Sequence, residues 1–197
     1  MKKRGGNKMA IISKDSFYDM YLKSGLISLL VALMLVGCAS SPTEFKSDIS
    51  EPQIAVEPDS IRLGVARLSG TQILFRGRGF EPGDSVFLKL LDVDKDGKKV
   101  DIPVADGDVD KEGSFIAEVG ILPKINDILR AELGSNKKME TIIIITQPPI
   151  PQGIYTVRAV SMESTKTAET SLTIKGPSLL DRIKDWIGGL LGKIVKK

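Results

Sequence analysis

The chain has no histidine and one cysteine among its 197 residues. Without histidine, neither a histidine-based catalytic triad nor the usual histidine-bearing zinc site can form. With one cysteine, no intrachain disulfide can staple the fold. Aromatic residues make up only 5% of the chain, which leaves few rings for a sugar-stacking platform. The N-terminal apolar run, Leu26 to Val36, is about half the ~20 residues a membrane-spanning helix needs. Carboxylates are plentiful, but they cluster in turn-like sequence. They do not suggest the opposed pair that a glycosidase places across a sugar. These absences together argue against an enzyme.

What stands at the N-terminus is more specific. Lys2, Lys3, Arg4, Lys8, Lys14 and Lys23 precede the apolar run, and small residues follow it. A basic flank, a short apolar segment and a small-residue site read as a secretory signal rather than a span. Met9 and Met20 are alternative starts within it. The run closes on Leu35-Val36-Gly37-Cys38, which resembles the lipobox of bacterial lipoproteins. The resemblance implies that Cys38 is lipidated on sulfur, that the peptide before it is removed, and that the new amino terminus is acylated. The chain would then hang from a membrane of the bacterial cell envelope by Cys38. Position 39 is alanine rather than aspartate. In a host with two membranes, the same resemblance sends the protein to the outer one.

Removing residues 1–37 changes the electrostatic picture. The whole chain has 28 basic and 25 acidic residues. Six of the basic residues, together with Asp15 and Asp19, lie before Cys38, which leaves 22 against 23 and a net charge of −1. The basic character of the chain belongs to the signal segment, and no general electrostatic case for nucleic-acid binding remains.

Residues 38–57 are polar and without a helical or strand period, and they read as a flexible tether. Residues 58–176 are long enough for one domain with its own core. Their pattern is one of short apolar strands between turn signals. Strands are expected at Thr71–Arg76, Ser85–Leu91, Ser114–Val119, Thr141–Thr146, Gly153–Val160 and Thr170–Ile174. The four isoleucines Ile142 to Ile145 favour a strand buried on both faces. Ile125, Ile128, Leu129 and Leu133 have helical spacing, so Pro123 to Leu133 is expected as a short crossing helix closed by Gly134. The set predicts an all-β sandwich.

Gly77-Arg78-Gly79-Phe80-Glu81-Pro82-Gly83-Asp84-Ser85-Val86 resembles the G-x-G-F-x-P-G-(D/E)-x-V signature of bacterial immunoglobulin-like modules. Asp110-Lys111-Glu112-Gly113-Ser114-Phe115 is similar to their D-x-x-G-S-F turn. Gln152-Gly153-Ile154-Tyr155, preceded by Pro151, is similar to their P-x-G-x-Y turn. The resemblance covers about residues 52–175 and implies an immunoglobulin-like β-sandwich, with Phe80 plugging one end. Such motifs specify a fold and not a ligand.

Two segments are candidate sites. Asp92, Asp94 and Asp96, followed by Gly97, match the first half of a calcium loop, in which alternate carboxylates converge on a hard cation. Asp106, Asp108, Asp110 and Glu112 form a second acidic group. Two acidic loops at one end of a sandwich could share a Ca²⁺ and make a calcium-dependent ligand- or carbohydrate-binding module. The second half of the calcium loop fails, however, because Pro103 stands where glutamate is needed. The other reading is a hairpin with Asp96-Gly97 at its turn and lysines neutralising the carboxylates.

The second candidate is residues 177–197. Ser178 and Asp181 have the spacing of a capping box. Leu179, Leu180, Ile183, Trp186, Ile187, Leu190, Leu191, Ile194 and Val195 then recur on one half of a helical wheel. The other half carries Asp181, Arg182, Asp185, three glycines, Lys193 and Lys196. From Leu179 onward there are five basic and two acidic residues, a balance that attracts anionic headgroups. This is the pattern of an interfacial amphipathic helix. The glycines weaken such a helix in water by roughly 1 kcal/mol each. The apolar face has three readings: a membrane contact, a cap on the sandwich, or self-association. The functional expectation is a non-enzymatic, membrane-tethered binding or structural module with an unidentified envelope protein as partner.

Overall fold

The computed structural model describes Phe45 and residues 51–197. The expected signal segment, Cys38 and most of the expected tether lie outside these residues. The described chain is all-β, with three sheets and few helices. In the first sheet, β3 (Leu74–Arg78) runs antiparallel between β1 (Gln53–Glu57) and β6 (Ser114–Glu118). The second sheet has five strands in the order β2-β10-β9-β4-β5. These are β2 (Ser60–Arg62), β10 (Thr167–Lys175), β9 (Gly153–Ser161), β4 (Ser85–Lys95) and β5 (Lys98–Asp108). The third sheet sets β8 (Thr141–Ile145) between β7 (Ala131–Ser135) and β11 (Ile194–Lys196). The β2–β10 and β8–β11 pairs are parallel and the rest are antiparallel. Two short helices, α1 (Val65–Ser69) and α2 (Leu179–Leu190), and a π-helical turn (Pro123–Ile128) complete the described chain.

Strand alternation builds the core. On β4, Val86, Leu88 and Leu90 point inward, while Phe87 and Lys89 are exposed. The inward side chains join one cluster with Phe75 of β3, Val157 and Ala159 of β9, and Leu172 and Ile174 of β10. Each fully buried aliphatic side chain stabilises the fold by ~1.5–3 kcal/mol. Phe87 is turned out by the same two-residue period that buries its neighbours.

The turn-rich motif after β3 closes this core. Phe80 is buried and meets the Phe115 ring edge-on, with centroids 5.2 Å apart and planes at 74°. Asp84 belongs to the same motif and is only 3% exposed. Its carboxylate accepts from the Ser161 hydroxyl, Ser85 N (2.7 Å), Glu163 N (3.0 Å) and Ser164 N (3.2 Å). It therefore ties the start of β4 to the β9–β10 connection. The Ser161 hydroxyl and these backbone donors favour the charged form over the opposing effect of burial, so the carboxyl is lowered from 3.8 to about 2. A depressed carboxyl contributes stability above its unfolded value, and that stability is lost as the pH falls through the folded one. Asp84→Asn should therefore lower the melting temperature at neutral pH. The gap to the natural chain should close between pH 3.8 and about 2. Thermal melts across that window would reject this role for Asp84 if the gap stayed constant.

Four expectations are corrected. Gln53–Glu57 is strand rather than tether, because Ile54, Ala55 and Val56 are buried while the backbone pairs with β3. The domain thus begins earlier than residue 58. The helical spacing after Pro123 holds only to Leu129, and Ile125, Ile128 and Leu129 are buried as that spacing requires. Arg130 then takes φ +52° and turns the chain into β7, so Leu133 and Gly134 belong to a strand. The isoleucine run is central in its sheet, yet only Ile142 is buried and Ile143 to Ile145 are half-buried. Finally, Ile194 and Val195 lie on β11 rather than on the C-terminal helix.

Candidate membrane-contact surface

The C-terminal helix begins where the capping spacing places it. The Ser178 backbone N–H donates to Asp181 Oδ2 (2.8 Å), and Asp181 N donates to Ser178 Oγ (3.2 Å). The Ser178 hydroxyl also donates to Asp181 Oδ2 at 2.6 Å. These bonds hold the Asp181 carboxyl below its usual range. Asp181 is buried, lying against Gly64 so closely that a β-carbon there would meet Asp181 Cβ at 2.7 Å.

One turn later, Asp185 reaches the N-terminus of α1. Val65 N donates to Asp185 Oδ2 at 3.0 Å and Ala66 N donates to Asp185 Oδ1 at 2.9 Å. A helix start has backbone donors without helical partners, and Asp185 supplies acceptors from another element. α2 is thus held to the domain by its acidic edge.

This docking inverts the usual arrangement, in which the apolar stripe of a surface helix faces the core. Leu179, Leu180, Ile183, Trp186, Ile187, Leu190 and Leu191 all face outward, from 44% exposed at Ile187 to 74% at Leu179. The reading of the apolar face as a cap on the sandwich is corrected accordingly. Contiguous exposed apolar patches beyond about 300–600 Å² mark interaction or membrane sites.

The helix stops at a glycine. Gly192 has φ +66°, Gly192 N donates to Gly189 O (3.0 Å), and Lys193 N donates to Gly188 O (2.9 Å). This is a Schellman closure. The chain then enters β11, where Ile194 is half-buried and packs against the core. Ile194 therefore leaves the proposed contact face. Lys193 pairs with Glu140 at 3.1 Å, while Arg182, Lys184, Lys196 and Lys197 are exposed.

The acidic groups do not meet. β4 and β5 form one hairpin in which Lys95 faces Lys98 at the turn and Ser85 faces Asp108 at the far end. An 11-residue strand separates the two ends by about 30 Å. Asp92, Asp94 and Asp96 lie near the turn and Asp108 and Asp110 near the far end, so they cannot share one ion. Each group also has local work. Asp96 (φ +56°) and Gly97 (φ +80°) form the two-residue turn. Asp94 Oδ1 accepts from Gly97 N (2.9 Å), and Asp96 Oδ1 pairs with Arg130 Nη2 (2.8 Å). Asp92 N donates to Asp101 Oδ1. Asp108 Oδ1 accepts from Ser85 Oγ (2.9 Å), and Asp110 Oδ1 accepts from Glu112 N and Ser114 N. Among the described residues, no three acidic, cysteine or histidine side chains converge to hold a metal ion.

Cys38 lies outside the described residues. Among the described residues, no helix is long and apolar enough to cross a membrane. Sequence reasoning missed the roles of Asp84 and Asp185. For Asp185 the available signal was its i, i+4 spacing from Asp181 on the polar half of the wheel.

No family model matches this chain, and no curated protein matches it. Among solved structures, it is similar to a β-glucosidase from Listeria innocua in complex with glucose, at 11% identity and a TM-score of 0.34. That match covers 64% of this chain and 16% of the glucosidase. It is also similar to the Pseudomonas fluorescens alkylpurine DNA glycosylase AlkC bound to DNA containing an abasic site analog, at 13% identity and a TM-score of 0.31. Here 64% of this chain and 30% of the glycosylase are covered. The chain spans less than a third of either protein, and likenesses at this level carry no argument about fold family or chemistry.

Proposed function

We propose that this chain is a lipid-anchored protein of the bacterial cell envelope. An immunoglobulin-like β-sandwich serves in it as a non-enzymatic binding or structural module, and α2 is a second contact with the membrane. In a host with two membranes, the anchor lies in the outer one. The observation that carries this reading is the outward apolar face of α2, held in place by Asp181 and Asp185. The lipobox-like Leu35–Cys38 segment supplies the anchor. The lipids implied at Cys38, on sulfur and on the amino terminus, already make two membrane signals and a firm anchor, so the contact through α2 serves to orient the domain on the membrane. The sandwich reading is supported by Tyr155, near the start of β9, whose hydroxyl donates to Pro151 O at 2.7 Å. A tyrosine bonded to backbone a few residues upstream is a recurring corner of immunoglobulin-like folds.

Two experiments test the proposal. Cys38→Ser should leave a precursor of unprocessed size that incorporates no labelled fatty acid in cells. Normal processing and labelling would reject the anchor. Trp186 is the only tryptophan, so its emission reports on α2 in the full chain. Vesicles of brominated phosphatidylcholine and phosphatidylglycerol should quench it. Unquenched emission with vesicle-bound protein would reject the helix as a contact.

A further inference from the structure

Beside its outward face, α2 leaves a cleft of about 580 Å³ against β8 and β11. Ile145 and Ile194 contribute from the strands, and Trp186 and Leu190 from the helix. The size falls within the ~300–1,000 Å³ of small-ligand sites. Arg182 and Lys196 also line the cleft, with Asp185. Both carboxylate oxygens of Asp185 already accept from the start of α1, whereas Arg182 and Lys196 are exposed. Lys196 and Lys197 continue the basic character into the adjoining hollow. The cleft thus combines an apolar lining with a cationic rim. Trp186 and Leu190 belong both to it and to the outward face, so the two surfaces are continuous.

We infer that this cleft takes one acyl chain of an anionic phospholipid, with the phosphate headgroup held by Arg182 and Lys196. The inference rests on the reading of α2 as a membrane contact and names the lipid class that the contact selects. Gly189 keeps the cleft open. A β-carbon there would meet only Ile194 O, at an ordinary 3.8 Å, so a larger side chain would fill the cleft without a clash at its base.

The test titrates the full chain with lysophosphatidylglycerol below its micellar concentration, read by Trp186 emission. A saturable one-to-one change is expected. Gly189→Leu should weaken it tenfold or more, although the added leucine makes the helix more apolar. Each cation near an anionic headgroup contributes ~1 kcal/mol, so lysophosphatidylcholine should bind about thirtyfold more weakly. Arg182→Glu with Lys196→Glu should erase that preference, which keeps the test valid if Gly189→Leu fails to fold. A response without saturation, one unaffected by Gly189→Leu in a folded chain, or equal affinity for both lipids would overturn the inference. Glycerol phosphate giving the same response would overturn the acyl-chain part. Quenching by brominated vesicles without monomer binding would overturn the cleft alone and leave the membrane contact standing. Monomer binding without vesicle quenching would instead overturn the membrane contact.

Discussion

Leu180→Glu and Leu190→Glu, introduced together, should weaken the grip of α2 on phosphatidylcholine–phosphatidylglycerol vesicles by about a hundredfold or more. The readout is loss of Trp186 quenching by brominated acyl chains. Both leucines are about two-thirds exposed, as is Trp186, which the variant keeps as reporter. Burying a leucine side chain is worth ~1.5–3 kcal/mol. Losing two such contributions removes about 3 kcal/mol, and each 1.4 kcal/mol is a factor of ten. The fold should barely notice, since substitutions at exposed positions usually change stability by less than about 0.5 kcal/mol each. Undiminished quenching would show that this face does not meet the bilayer. A collapse in melting temperature would show instead that the face is covered in solution, as self-association would require.

The largest expected effect on the fold is at Gly77. A β-carbon at this position would lie 2.0 Å from Phe115 Cε1, overlapping one edge of a ring that is itself buried against Phe80. Gly77→Ala should therefore cost about 1–3 kcal/mol by overpacking, a large share of the ~5–15 kcal/mol that holds a domain together. Phe115→Leu removes the clashing edge, so the double variant should be more stable than the sum of the two single effects predicts. Denaturant unfolding of all four chains measures that coupling. Strict additivity would mean that the first glycine of the motif serves something other than close packing.

Much of the strand pattern was legible because period-two alternation and turn chemistry are local. Val86, Leu88 and Leu90 announce β4 by alternation, and Asp96-Gly97 announces its hairpin. The capping box at Ser178 and Asp181 was legible for the same reason. What stayed hidden depends on partners distant in sequence. Ile54 and Val56 read as spacer until β3 pairs with them. The apolar half-wheel of α2 was plain, but its direction was not. That direction is decided by Gly64, Val65 and Ala66, more than a hundred residues away, which receive Asp181 and Asp185. The stop at Gly192 was visible as a glycine, yet Ile194 and Val195 also fit the helical period. Only the pairing of β11 with β8 separates the two readings. The shared calcium site failed for a similar reason. Proximity along the chain suggested one loop end, whereas an antiparallel hairpin carries its two ends far apart.

The fastening of α2 at both ends has a kinetic consequence. Asp181 and Asp185 clasp its first turns, and β11 is stitched to β8 just beyond its last. Most surface-seeking peptides must coil as they land, so nucleation gates their arrival and unwinding accompanies their departure. Here the helix is already wound before any encounter. Far-ultraviolet dichroism should then stay flat as vesicles are added, and capture becomes a question of collision and orientation alone.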